Sequence, residues 1–89
     1  METKIDFDDE ASSSSTLLQV VAQDVPGLLR AISATLSELG YNVEVALIDT
    51  EGETAIDVFY LTSDAQQLNE TQKKVLRKSL VEAIEANAK

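Results

Sequence analysis

Asp24-Val25-Pro26-Gly27-Leu28-Leu29 joins an alternating apolar run, Leu17 to Gln23, to a helical pattern, Arg30 to Leu39. Its parts suit a strand-to-helix turn. Pro26 holds φ near a helical value and has no N–H to lose, so it fits the first helical turn. Gly27 has no Cβ, so another chain segment or a ligand can approach its backbone closely. Asp24 is placed to accept from the free N–H groups of that turn. Leu28 and Leu29 open the buried stripe. The free amides and the helix dipole also make this corner suitable for a carboxylate or another anion. Two readings stand side by side: a capped helix start and a ligand site.

Toward the N-terminus, Thr16 to Gln23 reads as the strand that delivers the chain to this corner. Leu18, Val20 and Ala22 point one way, and Leu17, Gln19, Val21 and Gln23 the other. Residues 1–15 read as a flexible acidic and Ser-rich leader, ending in Ser12-Ser13-Ser14-Ser15, ahead of a domain at 16–89. Such a leader suits a linker or the cut end of a longer chain. Within it, Ile5 and Phe7 alternate with polar residues and can form a short added strand.

Toward the C-terminus, the spacing predicts a helix from Pro26 to Leu39. Leu28, Leu29, Ile32, Leu36 and Leu39 form its buried stripe, and Gly40 supplies the left-handed stop. Tyr41 to Asp49 alternates again, with Val43, Val45 and Leu47 on one face and Asn42, Glu44, Ala46 and Ile48 on the other. Thr50 to Glu53 is a turn. Thr54 to Thr62 returns as a strand, apolar on both faces, which implies cover on both sides of the sheet. Asp57 is the odd residue in that strand; it is expected to hydrogen-bond at an interface or to face water near the sheet edge. After a polar loop at Ser63 to Gln67, Asn69 and Gln72 make a capping box. A helix follows to Ala86, with Val75, Leu76, Leu80, Ala83 and Ile84 as its stripe. Lys73, Lys74, Arg77 and Lys78 form a basic strip, expected to be a solvated surface, with docking of an acidic partner as the alternative.

The order β-α-β-β-α predicts an α+β fold: a ferredoxin-like sandwich, an antiparallel sheet with two helices on one face. The place of the fourth strand is open. Gln66 to Leu68, Ile5 to Phe7, or a partner chain can fill it.

Eighty-nine residues make one small domain. There is no Cys and no His, which removes disulfides, thiolate chemistry, the commonest metal ligand and the commonest general base. No cofactor is expected. Carboxylate pairs such as Asp49/Glu51 and Glu53/Asp57 lie on the hairpin with no catalytic companion, so the chain is not expected to be an enzyme. The net charge of −9 argues against nucleic acid or an anionic membrane surface as partner. No apolar run approaches the ~20 residues of a membrane span, and a cytoplasmic location is the default.

Three motifs carry a family resemblance. Asp24-x-Pro26-Gly27-Leu28-Leu29 follows a strand, Gly40-x-Asn42-Val43 opens the next, and Gly52-Glu53-x-Ala55-x-Asp57-Val58-Phe59-Tyr60 lies in the third. In this order, over about residues 16–86, they resemble an ACT domain, in particular the C-terminal ACT repeats of bacterial protein-PII uridylyltransferases. The resemblance implies a regulatory module, normally part of a larger enzyme of nitrogen metabolism. It implies an amino acid effector, glutamine in that branch, and pairing with another ACT domain through the sheet face or edge. It carries the ligand contacts onto Asp24, Val25, Pro26, Gly27, Leu28 and Asn42. Val25 departs from the branch, which often has a basic residue there, and Gln66-Gln67 replace its usual Gly and Lys.

The chemistry agrees. A ligand carboxylate suits the amides around Gly27, and an ammonium suits Asp24 or Glu44. The competing expectation is a ligand-free pairing module. Its contact surface would be the sheet face away from the helices, carrying Leu17, Val21, Ile48 and either Ile56 or Phe59.

Overall fold

The computed structural model describes residues 2–88. Its elements run β1 (Lys4–Asp8), β2 (Thr16–Gln23), α1 (Leu28–Glu38), β3 (Asn42–Glu51), β4 (Thr54–Thr62) and α2 (Glu70–Asn87). The four strands form one antiparallel sheet in the order β1-β2-β4-β3. This is the expected ferredoxin-like α+β sandwich, and the N-terminal segment fills the open place. Residues 4–8 pair along β2 with Ile5 opposite Val20, so this stretch is not the structureless leader that its composition suggests.

The alternation that identified the two central strands fits their burial. Leu18, Val20 and Ala22 of β2 and Ala55, Phe59 and Leu61 of β4 are buried under the helices. Each helix sets three residues spaced four apart against them: Leu28, Ile32 and Leu36 from α1, and Leu76, Leu80 and Ile84 from α2. This spacing lines up one narrow face. Leu29 and Val75, both expected in the stripes, lie one position off that face and are 43% and 48% exposed. On the opposite sheet face, Leu17, Val21, Ile56, Val58 and Tyr60 are only half-buried, so the described residues do not supply the expected second cover.

Turns follow their residues. Leu28 N–H donates to the Val25 carbonyl at 3.2 Å, and Gly27 has φ 86° and ψ −1°. With Pro26 before it, this is a type II turn, whose third residue needs positive φ. Helix α1 ends in a Schellman motif: Gly40 N–H donates to Ser37 O and Tyr41 N–H to Leu36 O. Helix α2 opens with the expected capping box of Asn69 and Gln72.

The basic strip and the N-terminal segment hold each other. Lys73 pairs with Asp9 and Glu70. Arg77 donates to the Ile5 carbonyl and lies 5.3 Å over the Phe7 ring. Gln67 Nε2 donates to the carbonyls of Asp9, Ser12 and Ser15 at 2.8, 2.7 and 3.1 Å. Thr16, fully buried, donates to Asp9 Oδ1 and accepts from Leu68 N–H. Two of the four basic residues therefore serve the fold rather than facing water freely.

Strand β3 is the outer edge, and all ten of its residues are exposed. A bulge between Val45 and Leu47 shifts the register. Such an extra residue flips the alternation beyond it. Val43 and Val45 pair with Leu61 and Phe59 on the helix side, but Leu47 pairs with Val58 on the open side and Ile48 with Asp57 on the helix side. The expected grouping of Val43, Val45 and Leu47 on one face is therefore broken. Ile48 and Phe59 both leave the face away from the helices, where Leu17, Val21 and Ile56 remain.

Candidate functional site

The candidate site is the corner where β2 hands over to α1. A small pocket of ≈ 190 Å³ opens there, lined by Asp24, Val25, Gly27, Leu28 and Leu29 from the turn and helix start. Ile48, Asp49 and Thr50 of β3 and Ala55 and Asp57 of β4 complete it. That is well under the roughly 300–1,000 Å³ of pockets for drug-sized ligands, so it suits something of amino-acid size.

The turn decides which groups are free. The type II turn places three residues between Asp24 and the first helical residue, so the helix is capped by Gly27 with no side-chain bond. The expected role of Asp24 as cap is thereby corrected. Its backbone N–H continues the sheet instead, donating to the Glu53 carbonyl at 2.8 Å, and its exposed side chain faces the pocket. At the helix start, Leu28 N–H is used by the turn and Ala31 N–H by the Gly27 carbonyl. The Leu29 and Arg30 amides have no acceptor among the described residues.

Asp57 is the unusual member. It stands opposite Val20 and Ile48 on the helix side of the sheet and is only 3% exposed. It does not face water near the sheet edge, which was one of the two expectations for it, because β4 is an inner strand. Its carboxylate takes part in none of the side-chain hydrogen bonds among the described residues, and since no buried oxygen is left unsatisfied there, it keeps contact with solvent through the pocket. Burial first, and then the neighbouring Asp24 charge, push its carboxyl above the usual Asp value. Ionised, it carries its charge in a partly desolvated place with no cation in the pocket lining.

Of the sequence-derived site residues, Asp24, Val25, Pro26, Gly27 and Leu28 share this corner. Asn42 and Glu44 do not. Asn42 pairs with Thr62 and Glu44 with Tyr60 at the far end of β3, roughly 26 Å of strand from Thr50. Asn42 lines a separate groove with Ser33, Leu36, Ser37, Gly40, Tyr41 and Val43. Asp49, Thr50 and Asp57 were missed as site residues. For Asp57 a signal exists in the chain: it falls in the buried phase of Ala55-x-Asp57-x-Phe59-x-Leu61.

The closeness at Gly27 has a cause within the chain. Asn87 of α2 donates to the Pro26 carbonyl, and its Oδ1 lies 2.6 Å from where a Gly27 Cβ would be. The bare backbone there admits the end of α2.

Comparison with known proteins places this geometry. The model of the ACT domain family matches residues 16–79. A bifunctional uridylyltransferase/uridylyl-removing enzyme of Vibrio campbellii is 44% identical over 85 residues, 94% of this chain and 10% of that protein. Proteins of the same description from Vibrio vulnificus and Aliivibrio fischeri are 42% and 38% identical over the same shares. The chain thus spans about a tenth of the length of these relatives. No solved structure matches it. The strand-turn-helix corner, the sheet order and the family match agree: this chain belongs to the ACT domain family.

Proposed function

We propose that this domain senses a small ligand, an amino acid, and passes that signal to a larger enzyme of the uridylyltransferase type. Glutamine is the first candidate. The observation that carries the reading is the corner pocket, which sets acidic side chains beside a helix start with unused amides, Leu29 among its lining, in a space of amino-acid size. Free amides favour a carboxylate and the acids favour an ammonium. The domain itself supplies binding rather than catalysis, acts in the cytoplasm, and works with no nucleic acid or membrane partner.

Pairing with a second ACT domain belongs to the same reading. Val43, Val45, Leu47 and Ile48 are between 42% and 57% exposed on an edge strand with unpaired backbone. Antiparallel pairing of two such edges would bring Asn42 of one copy toward the Thr50 end of the other, which gives Asn42 a route back to the site. The same apolar edge supports the second reading, a pairing module that binds no ligand.

An amide NMR titration with the twenty amino acids, combined with light scattering in the same buffer, separates the two. Saturable shifts at Asp24 to Leu29 support the sensor. A dimer that no amino acid perturbs supports the pairing module, and a monomer that none perturbs overturns both.

A further inference from the structure

Every other cluster of charge in this fold is satisfied or open to water. Lys73 has Asp9 and Glu70, and Arg77 has Ile5 and Phe7. Asp57 alone combines near-complete burial, a carboxylate, and no partner among the described residues. A carboxylate in that position is stabilised when a cation comes to it. The pocket it lines brings no cation of its own. Asp24 after β2 and Asp49 on β3 are the other titratable groups in the lining, while α1 contributes only Leu28 and Leu29.

We infer that Asp57, with Asp24 beside it, is the receptor for the ammonium group of the ligand and the residue that makes the pocket select amines. This rests on the sensor reading and adds to it the specificity of the site. The remaining lining fits an amino acid oriented by that contact. The amide of Leu29 stands free for the carboxylate, and Leu28, Ile48 and Ala55 offer apolar walls for the side chain. A hard divalent cation fits less well. The described residues contain no group of three His, Cys, Asp or Glu side chains close enough to hold a metal ion, and such ions take six or more oxygens.

The test uses the full chain and NMR titration. The ligand is whichever of the twenty amino acids binds most tightly, glutamine being tried first; the controls are its analogue lacking the amino group and Ca²⁺. In the parent chain the amino acid is expected to bind at least tenfold more tightly than the des-amino analogue. Asp57→Asn should weaken the amino acid at least tenfold and leave the analogue within twofold. Asp24→Asn, at an exposed position, should give a smaller loss in the same direction and guards against misfolding of the buried variant. Equal binding of the amino acid by parent and both variants overturns the inference and leaves the sensor standing. An equal loss for amino acid and analogue in both variants also overturns it. Ca²⁺ shifts centred on Asp57 that outcompete the amino acid overturn it in favour of a metal. No binding of any amino acid to the parent overturns this inference and the sensor reading together.

Discussion

Asn87 Nδ2 donates to the Pro26 carbonyl at 3.0 Å, so the last turn of α2 is fastened to the turn that begins α1. The fastening works because Gly27 is bare. A Cβ there would lie 2.6 Å from Asn87 Oδ1, and φ at Gly27 is +86°. Gly27→Ala is therefore expected to cost about 1–2 kcal/mol from left-handed backbone alone. Urea denaturation measures it. Adding Asn87→Ala should recover only the steric part, so a double variant as stable as Asn87→Ala alone would refute the backbone explanation.

Asp64 and Ala65 both have positive φ, 52° and 61°. They sit in a two-residue turn closed by Ser63 and Gln66, which exchange backbone bonds at 2.8 and 3.0 Å. A turn with two positive-φ positions favours Asn-Gly, and Ala gains nothing in return for the strain. Ala65→Gly should raise stability by roughly 0.5–1 kcal/mol, the left-handed relief less the added chain entropy of Gly. An unchanged or lower urea midpoint would contradict this.

Gln67 holds the N-terminal segment through three carbonyls. Gln67→Ala is expected to destabilise by about 1–3 kcal/mol, since several carbonyls lose their donor at once. Removing residues 1–9 should cost at least as much, because Ile5 leaves the core and burial of such a side chain contributes about 1.5–3 kcal/mol. Hydrogen exchange should then show the β2 amides losing protection before those of β4.

Two carboxyls give stability opposite dependences on pH. The Asp9 carboxyl is held below the ordinary 3.8 by its bond to Lys73. Its contribution is complete above about 3.8 and is lost as pH falls through its lower folded value. The Asp57 carboxyl is raised above 3.8. Its folded state keeps a proton that the unfolded chain releases, so stability falls as pH climbs from about 3.8 through the raised value. Asp57→Asn should flatten that fall and raise stability at neutral pH. Lys73→Met should flatten the acid side. Urea midpoints measured across this range check both, and an Asp57→Asn profile that still falls would sink the assignment.

Much of the fold was legible in the chain because it is written in local periods. Leu18-x-Val20-x-Ala22 and Ala55-x-Asp57-x-Phe59-x-Leu61 alternate, so a sheet face followed directly. Ile32 and Leu36, and Leu76, Leu80 and Ile84, repeat every four residues, so helix faces followed as well. Asn69 with Gln72 and Gly40 marked ends whose chemistry is local. The turn at Asp24 to Leu28 was legible for the same reason, since Pro26 and Gly27 shape it locally.

The tertiary structure decided what depends on distance in space. Residues 4–9 look like part of an acidic leader until Arg77 and Lys73, more than sixty positions later, are placed to hold Ile5 and Asp9. The bulge at Ala46 reversed the faces of Leu47 and Ile48, because one extra residue changes the phase of every side chain after it. A type II turn moved Asp24 out of capping reach. Asn42 and Glu44 were separated from the corner by the antiparallel course of β3. Asp57 changed most: its phase in β4 set it on the buried side, but only the tertiary structure brought it to the corner beside Asp24. The local order of polar and apolar residues thus determined which segments fold and which sides they bury. Which charges end beside one another was settled by contacts between remote segments, because the energy of a buried charge depends on its neighbours in space and not on its neighbours in the chain.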